Sequence, residues 1–130
     1  MSDLYPQATH ELSRTRRELA PEPAAAFYKF SEAVFADGAL PTQTKHIIAV
    51  AVANVTQCPY CIRGHTRAAL RDGVSQKELM EAIWVAAEMR AGAAFAHSII
   101  AIDEMGEAGA AADDHPHRTP GTGEQHGHSI

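Results

Sequence analysis

One segment in the middle of the chain constrains the fold most, because it is apolar on nearly every side. It begins at Pro41–Thr42, ends at Thr56–Gln57, and holds Ile47, Ile48, Val50, Ala51, Val52 and Val55. β-Branched residues are common in strands, but this segment is longer than a usual strand and is punctuated by alanine, which favours a helix. A helix that is apolar on all sides is buried among other elements. We therefore predict a central helix around which the rest of the chain packs.

The residues before this segment predict two further helices. Residues 8–20 predict a short, exposed helix, because they are charged on most faces and are followed by Pro21 and Pro23. A second helix is predicted from Pro23 to the stop signal Asp37–Gly38. Its apolar stripe consists of Phe27, Phe30 and Val34.

The residues after the central segment predict three more helices. Cys58–Pro59 begins a fourth helix, since proline is tolerated at the first helical position, and Asp72–Gly73 ends it. The stretch Ser75–Glu78 is a capping box, which predicts the start of a fifth helix. The small residues Ala91–Gly92 predict a break or kink, and residues 93–105 a sixth helical segment.

The composition agrees with an all-α bundle of about six helices. The chain has 130 residues, and 45% are hydrophobic while only 6% are aromatic, which is typical of helices packed closely through small residues. We assign residues 1–22 to a helical extension, 23–108 to the folded domain, and 109–130 to a disordered tail that has little to bury. The tail contains His115, His117, His126 and His128. Apolar faces left over on the second and sixth helices predict a homo-oligomer.

Net charge and the distribution of apolar residues limit the classes of partner and the cellular compartment that we expect. With 11 basic and 16 acidic residues the formal net charge is −5, whereas nucleic-acid binding needs clustered lysine and arginine. No uninterrupted apolar span approaches the roughly 20 residues of a membrane helix, and no secretory signal follows Met1. We therefore expect a cytoplasmic protein with no nucleic-acid or membrane partner.

The two cysteines form a Cys-x-x-Cys motif at the start of the fourth helix. Cys58, Cys61 and His65 lie on one face of that helix, because three and four residues make about one turn each. The helix N-terminus and an imidazole both stabilise a thiolate, and Cys61 is the better placed of the two. Cys58 is close enough to convert a sulfenic acid on Cys61 into a disulfide. The spacing suits a dithiol that reduces peroxides.

Other interpretations of these residues stay open. The cysteines alone would also fit two small buried apolar side chains, and His65 is what favours chemistry. A zinc site in a non-catalytic or scaffold protein would use Cys58, Cys61 and His65, with His46 or His97 as the fourth ligand. The same thiols would also serve a thiol-disulfide oxidoreductase without peroxide activity.

In these residues the chain resembles the AhpD-like alkylhydroperoxidase branch of the carboxymuconolactone decarboxylase family. The resemblance covers about residues 25–105 and is carried by Cys-x-x-Cys-x-x-x-His after an apolar helix. It implies an all-helical fold, assembly into trimers or hexamers, and a peroxidase or disulfide reductase. It also implies an external dithiol or lipoyl-type reductant and no cofactor beyond the redox-active cysteines. Because members without the cysteines include the decarboxylase itself, their presence here argues against lactone decarboxylation.

The resemblance also implies roles for individual residues. Cys61 corresponds to the thiol that attacks a small hydroperoxide, Cys58 to its disulfide partner, and His65 to a member of the proton relay. His46 stands where the branch commonly has a glutamate, and an imidazole can still accept a proton near neutral pH. The remaining candidates, for the substrate pocket, are Tyr60, His97 and Glu88. Neither the residue pattern nor the resemblance assigns a metal to the peroxidase site.

Overall fold

Five α-helices make up the regular structure of residues 4–113, the part of the chain that this computed structural model describes. They are α1 (His10–Leu19), α2 (Pro21–Phe35), α3 (Thr42–Thr56), α4 (Pro59–Arg71) and α5 (Gln76–Asp113). No strand occurs among the described residues. The predicted all-α class is therefore confirmed, and the apolar segment in the middle of the chain is a helix.

The core forms where α3 packs against α4 and the start of α5. Val50 of α3 and Ala69 of α4 are fully buried, and Val74 and Leu79 complete the cluster. Only one side of α3 is covered in this way. Its other side is exposed in the single chain, at Ile48, Val52 and Val55. The prediction that α3 is buried all round thus holds for one face only.

The helix ends on either side of α4 lie where the sequence predicts them, and both turns contain a residue with positive φ. Gln57 ends α3 in the left-handed region, with φ 58°, and Cys58 is the N-cap of α4, with Pro59 as its first residue. Gly73 follows α4 with φ 88°, a conformation that glycine adopts without steric cost. Both predicted ends of α4 are confirmed.

The capping box at the start of α5 is also present. The Ser75 amide donates to Oε1 of Glu78 at 3.0 Å, and the Glu78 amide donates to Oγ of Ser75 at 3.1 Å. These two bonds satisfy amides that the first turn of a helix leaves without partners. The helix begins at Gln76, as predicted.

No break occurs at Ala91–Gly92, where a break or kink was predicted, because α5 runs through this position to Asp113. Residues 4–113 therefore contain five helices rather than six. A glycine inside a helix costs only about 1 kcal/mol relative to alanine, and here alanines flank it and no proline follows. The helix also continues past residue 108, so residues 109–113 of the predicted tail are helical. The rest of the predicted tail, including its four histidines, lies outside the described residues.

The chain is divided into two compact units, and the boundary lies between Ala91 and Gly92. The first contains α1 to α4 and the beginning of α5. The second is described from Gly92 to Asp113 and consists of the rest of α5, in which every side chain from Ala93 to Ala111 is exposed. Large apolar residues of this unit are Phe95, Ile99, Ile100, Ile102 and Met105.

By length and composition the stretch Gln76–Ala111 would be able to cross a membrane, contrary to the expectation that no such span exists. Little of this stretch is buried. Core helices of soluble proteins satisfy the same two criteria, so this finding alone assigns no membrane.

Two glycine substitutions test how α4 is formed and ended. Gly73→Ala is expected to lower the free energy of unfolding by about 1–2 kcal/mol, because alanine is strained at positive φ. Gly64→Ala, inside α4, is expected to raise it by up to about 1 kcal/mol, since an added Cβ meets no atom within 4 Å. Urea denaturation of both variants measures the difference. Equal effects would contradict this account of the turn.

Candidate active site

The two cysteines form a disulfide at the N-terminus of α4. Their Cα atoms are 5.3 Å apart, as the first turn of a helix requires of residues three apart. The Cys61 amide also donates to Sγ of Cys58 at 3.2 Å, so a cysteine sulfur takes the capping role that serine or aspartate usually fills. The two cysteines that the sequence predicts to act together are therefore bonded to each other.

Two histidines from different helices meet beside this turn. His65 lies one turn after Cys61 on α4, and His46 lies near the start of α3. Their Nδ1 atoms are 3.1 Å apart, which is hydrogen-bond distance. Both rings are partly buried. The structure thus brings together His46 and His65, which the sequence separates by a helix and a turn.

Phe35, the last residue of α2, stacks on both imidazoles. Its ring centroid is 5.0 Å from that of His46 and 4.8 Å from that of His65. The end of α2 is held in place because Oγ1 of Thr42 donates to the Phe35 carbonyl at 2.7 Å. The sequence assigned Phe35 no role, since an aromatic at a helix end is ordinarily a packing residue.

The environment of His65 favours its neutral form. Burial, followed by the nearby His46, lowers the pKa of His65 below its ordinary value. A neutral imidazole has a free lone pair and can accept a proton from a thiol. On the far side of His46, its Nε2 is 3.9 Å from Oδ2 of Asp72, the residue that follows α4. From the sequence, Asp72 is expected only to help end α4.

Cys61 and His65 line two neighbouring cavities. The first has a volume of about 400 Å³ and is otherwise mainly apolar, with Val34, Phe35, Ile48, Ala49 and Val52 in its wall. The second, of about 560 Å³, adds Arg16, Phe27, Phe30, His46 and Tyr60. Cys58 contributes to neither wall. Of the two sulfurs, that of Cys61 is therefore the one next to space for a small molecule.

Of the three predicted pocket residues, only Tyr60 lines one of the two cavities. Tyr60 lines the second cavity, and its hydroxyl donates to the Pro6 carbonyl at 2.8 Å while its ring packs edge-on against Tyr5. Glu88 is exposed on α5 and lines neither cavity. His97 is exposed in the second unit. The substrate roles of all three remain predictions.

Within residues 4–113, no group of three or more His, Cys, Asp or Glu side chains is arranged to hold a metal ion. A zinc site of the kind considered above would need both cysteines as thiolates, whereas here their sulfurs are bonded to each other. The zinc alternative therefore concerns the reduced protein.

Comparison with known proteins gives one family. The model of the carboxymuconolactone decarboxylase family matches residues 21–104, which include α2, α3, α4 and most of α5. An uncharacterised protein of the cox locus of Paracoccus denitrificans is 53% identical over 108 residues, covering 82% of this chain and 96% of its own length.

Solved structures are also similar to this chain, and one of them is a member of the same family. A protein from Methanobacterium thermoautotrophicum matches with a TM-score of 0.61 and 40% identity, over 64% of this chain and 93% of its own. A carboxymuconolactone decarboxylase family protein from Legionella pneumophila matches with a TM-score of 0.56 and 35% identity, over 61% of this chain and 70% of its own.

The lowered pKa of His65 predicts how stability depends on pH. Below its ordinary pKa of about 6.5 the unfolded chain takes up a proton at this residue that the folded protein binds less readily. This contribution to stability is thus complete above about pH 6.5 and is lost as the pH falls through the folded-state pKa. Urea denaturation at fixed protein concentration between pH 7.5 and 5.5 should show the loss.

The matched variants are His65→Gln and His10→Gln. The first should make the free energy of unfolding depend less on pH, while the second is the control for the loss of an imidazole outside the site, at an exposed residue of α1. A His65→Gln slope identical to that of the wild type would refute the assignment.

Proposed function

The chain belongs to the carboxymuconolactone decarboxylase family, and from that premise we propose that it is a thiol-dependent peroxidase of the AhpD-like branch. The observation that carries the proposal is the position of Cys61, which borders two cavities together with His65 and is bonded to Cys58. One sulfur thus has access to a substrate, a base lies one helical turn away, and a second sulfur is within bonding distance.

The proposed reaction begins with the reduced pair. His65 accepts the proton of the Cys61 thiol, and the thiolate attacks one oxygen of a hydroperoxide. The O–O bond breaks, an S–O bond forms, and the leaving alkoxide takes the proton from His65 to become an alcohol. His46, in contact with His65, is the second member of the relay.

The second half of the reaction closes the disulfide. The Cys58 thiol attacks the sulfur of the Cys61 sulfenic acid, and water leaves with the Cys58 proton. The product is the disulfide described above. An external dithiol or lipoyl-type reductant then returns both cysteines to thiols and is itself oxidised to a disulfide. No other cofactor takes part in this proposal.

The first cavity favours an organic hydroperoxide as the substrate. Its wall is mostly aliphatic and aromatic, so an apolar organic group next to Cys61 would be removed from water there. Hydrogen peroxide has no such group and gains nothing from this wall. Small organic hydroperoxides are therefore the proposed substrate class.

We also propose that the protein is a cytoplasmic homo-oligomer, a trimer or a hexamer as the resemblance implies. An isolated helix is marginally stable in water unless it buries an apolar face. The second unit buries none of its side chains between Ala93 and Ala111, and Phe95 and Ile99 are 82% and 69% exposed. A second copy of the chain would cover these residues.

Reaction with one equivalent of an organic hydroperoxide tests the peroxidase. The reduced wild-type protein should lose two hydrogens within seconds, as measured by intact mass, because both thiols are consumed. Cys58→Ser should instead stop at a sulfenic acid on Cys61, trapped by a cyclic diketone reagent. Cys61→Ser should leave Cys58 as a thiol at an unchanged mass.

Three results would contradict the proposal. A trapped sulfenic acid on Cys58 in Cys61→Ser, but none on Cys61, would reverse the roles of the cysteines. Slow reaction with hydroperoxides but fast exchange with disulfides would indicate a thiol-disulfide oxidoreductase. No reaction, together with one zinc ion per chain in a protein ending at Asp113, would indicate the zinc-binding alternative.

Light scattering after gel filtration tests the assembly. The wild type should have the mass of three or six chains, and Ile99→Glu should reduce it, because a buried carboxylate has no partner in an apolar interface. Glu104→Gln, at an exposed residue of the same helix, is the control and should assemble like the wild type. A wild-type monomer, or extraction only with detergent, would contradict the proposed oligomer.

A further inference from the structure

We propose that Asp72 is a positioning residue, which acts through His46 to fix the tautomer of His65 so that Nε2 of His65 carries no proton. The catalytic use of that tautomer rests on the peroxidase proposed above, whereas the tautomer itself follows from the contacts alone. Asp72, His46 and His65 come from the C-cap of α4, the start of α3 and the middle of α4.

The geometry is a chain of two contacts. Oδ2 of Asp72 faces Nε2 of His46 at 3.9 Å, and Nδ1 of His46 faces Nδ1 of His65 at 3.1 Å. The first contact is electrostatic rather than a hydrogen bond, and the second has hydrogen-bond length. A charge at one end is therefore connected to the imidazole at the other end through both nitrogens of His46.

The number of protons on the two rings determines which tautomer His65 adopts. Two ring nitrogens at hydrogen-bond distance share one proton, so one Nδ1 donates and the other accepts. The Asp72 carboxylate favours the proton of neutral His46 on Nε2, the nitrogen that faces it. Nδ1 of His46 is then the acceptor, and Nδ1 of His65 must be the donor. Since neutral His65 has only one proton, its Nε2 is left with a free lone pair.

The surrounding residues hold Asp72, His46 and His65 in these positions. Phe35 stacks on both rings, at interplanar angles of 12° and 25°, which restricts their rotation. The Asp72 backbone is bonded on both sides, since its amide donates to Ala68 and its carbonyl accepts from Nε2 of Gln43 at 2.9 Å. Burial that keeps His65 neutral is also required, because a protonated His65 has no tautomers.

Nitrogen NMR of the histidine rings tests the proposal on the oxidised, full-length protein. Long-range ¹H–¹⁵N correlations at pH 7.5 distinguish a protonated from a bare nitrogen in each ring. The wild type should show His65 protonated on Nδ1 and His46 on Nε2. Asp72→Asn keeps the size of the side chain but removes its charge, and should give a mixture of tautomers in both rings.

The matched control is Glu81→Gln, which removes a carboxylate from an exposed position on α5 and should leave both tautomers unchanged. Thermal unfolding should show Asp72→Asn to be folded, because its backbone bonds do not involve the carboxylate. A wild-type His65 protonated on Nε2, or tautomers unaffected by Asp72→Asn, would overturn the proposal.

Kinetics provide the second measurement. Asp72→Asn should slow sulfenic acid formation about ten-fold at pH 7.5, the lower end of the loss seen when a metal-bound histidine loses the partner that orients it. Its rate should also respond differently to pH than the rate of Glu81→Gln. A wild type that has the expected tautomers but does not react with hydroperoxides would refute the peroxidase and leave the positioning role of Asp72 standing.

Discussion

Close packing of α3 against α4 is the interaction on which the site depends. Val50 and Ala69 are both fully buried at this contact, and the small side chain of Ala69 lets the two helices approach. That approach brings His46 of α3 to the 3.1 Å contact with His65 of α4. The contact between the two histidines therefore depends on a pair of buried apolar residues that take no part in the chemistry themselves.

Local signals in the sequence were sufficient to predict most of the helices and their ends. Helix starts at Pro59 and Gln76 follow from proline at a first helical position and from a capping box, both of which act within a few residues. The break predicted at Ala91–Gly92 failed because glycine lowers helix stability without preventing a helix. The exposed side of α3 was missed for another reason: apolar residues show which surfaces need covering, but not whether the same chain covers them.

The site could be predicted only where its residues lie on one helix. Cys58, Cys61 and His65 lie at the N-cap and on one face of α4, so their spacing was sufficient to predict that they lie together. His46 was a candidate zinc ligand from the sequence, and the resemblance added its role in the proton relay. Asp72 was missed because its role depends on which side chain of another helix it faces, and its position after α4 already had an adequate explanation as a helix stop. Phe35 was missed in the same way. Both belong to contacts made across helices, which no periodicity within one helix encodes.

The contact of Tyr60 with Pro6 bears on where this protein can be divided. Tyr60 lies between the two cysteines, and its hydroxyl is bonded to a carbonyl that precedes α1. The part of the chain shared with the family begins only at residue 21. A minimal domain cut at that boundary would keep every residue of the proposed reaction but would leave the turn between the cysteines without its neighbour. The segment that the family model matches is therefore shorter than the segment that contacts the cysteine turn.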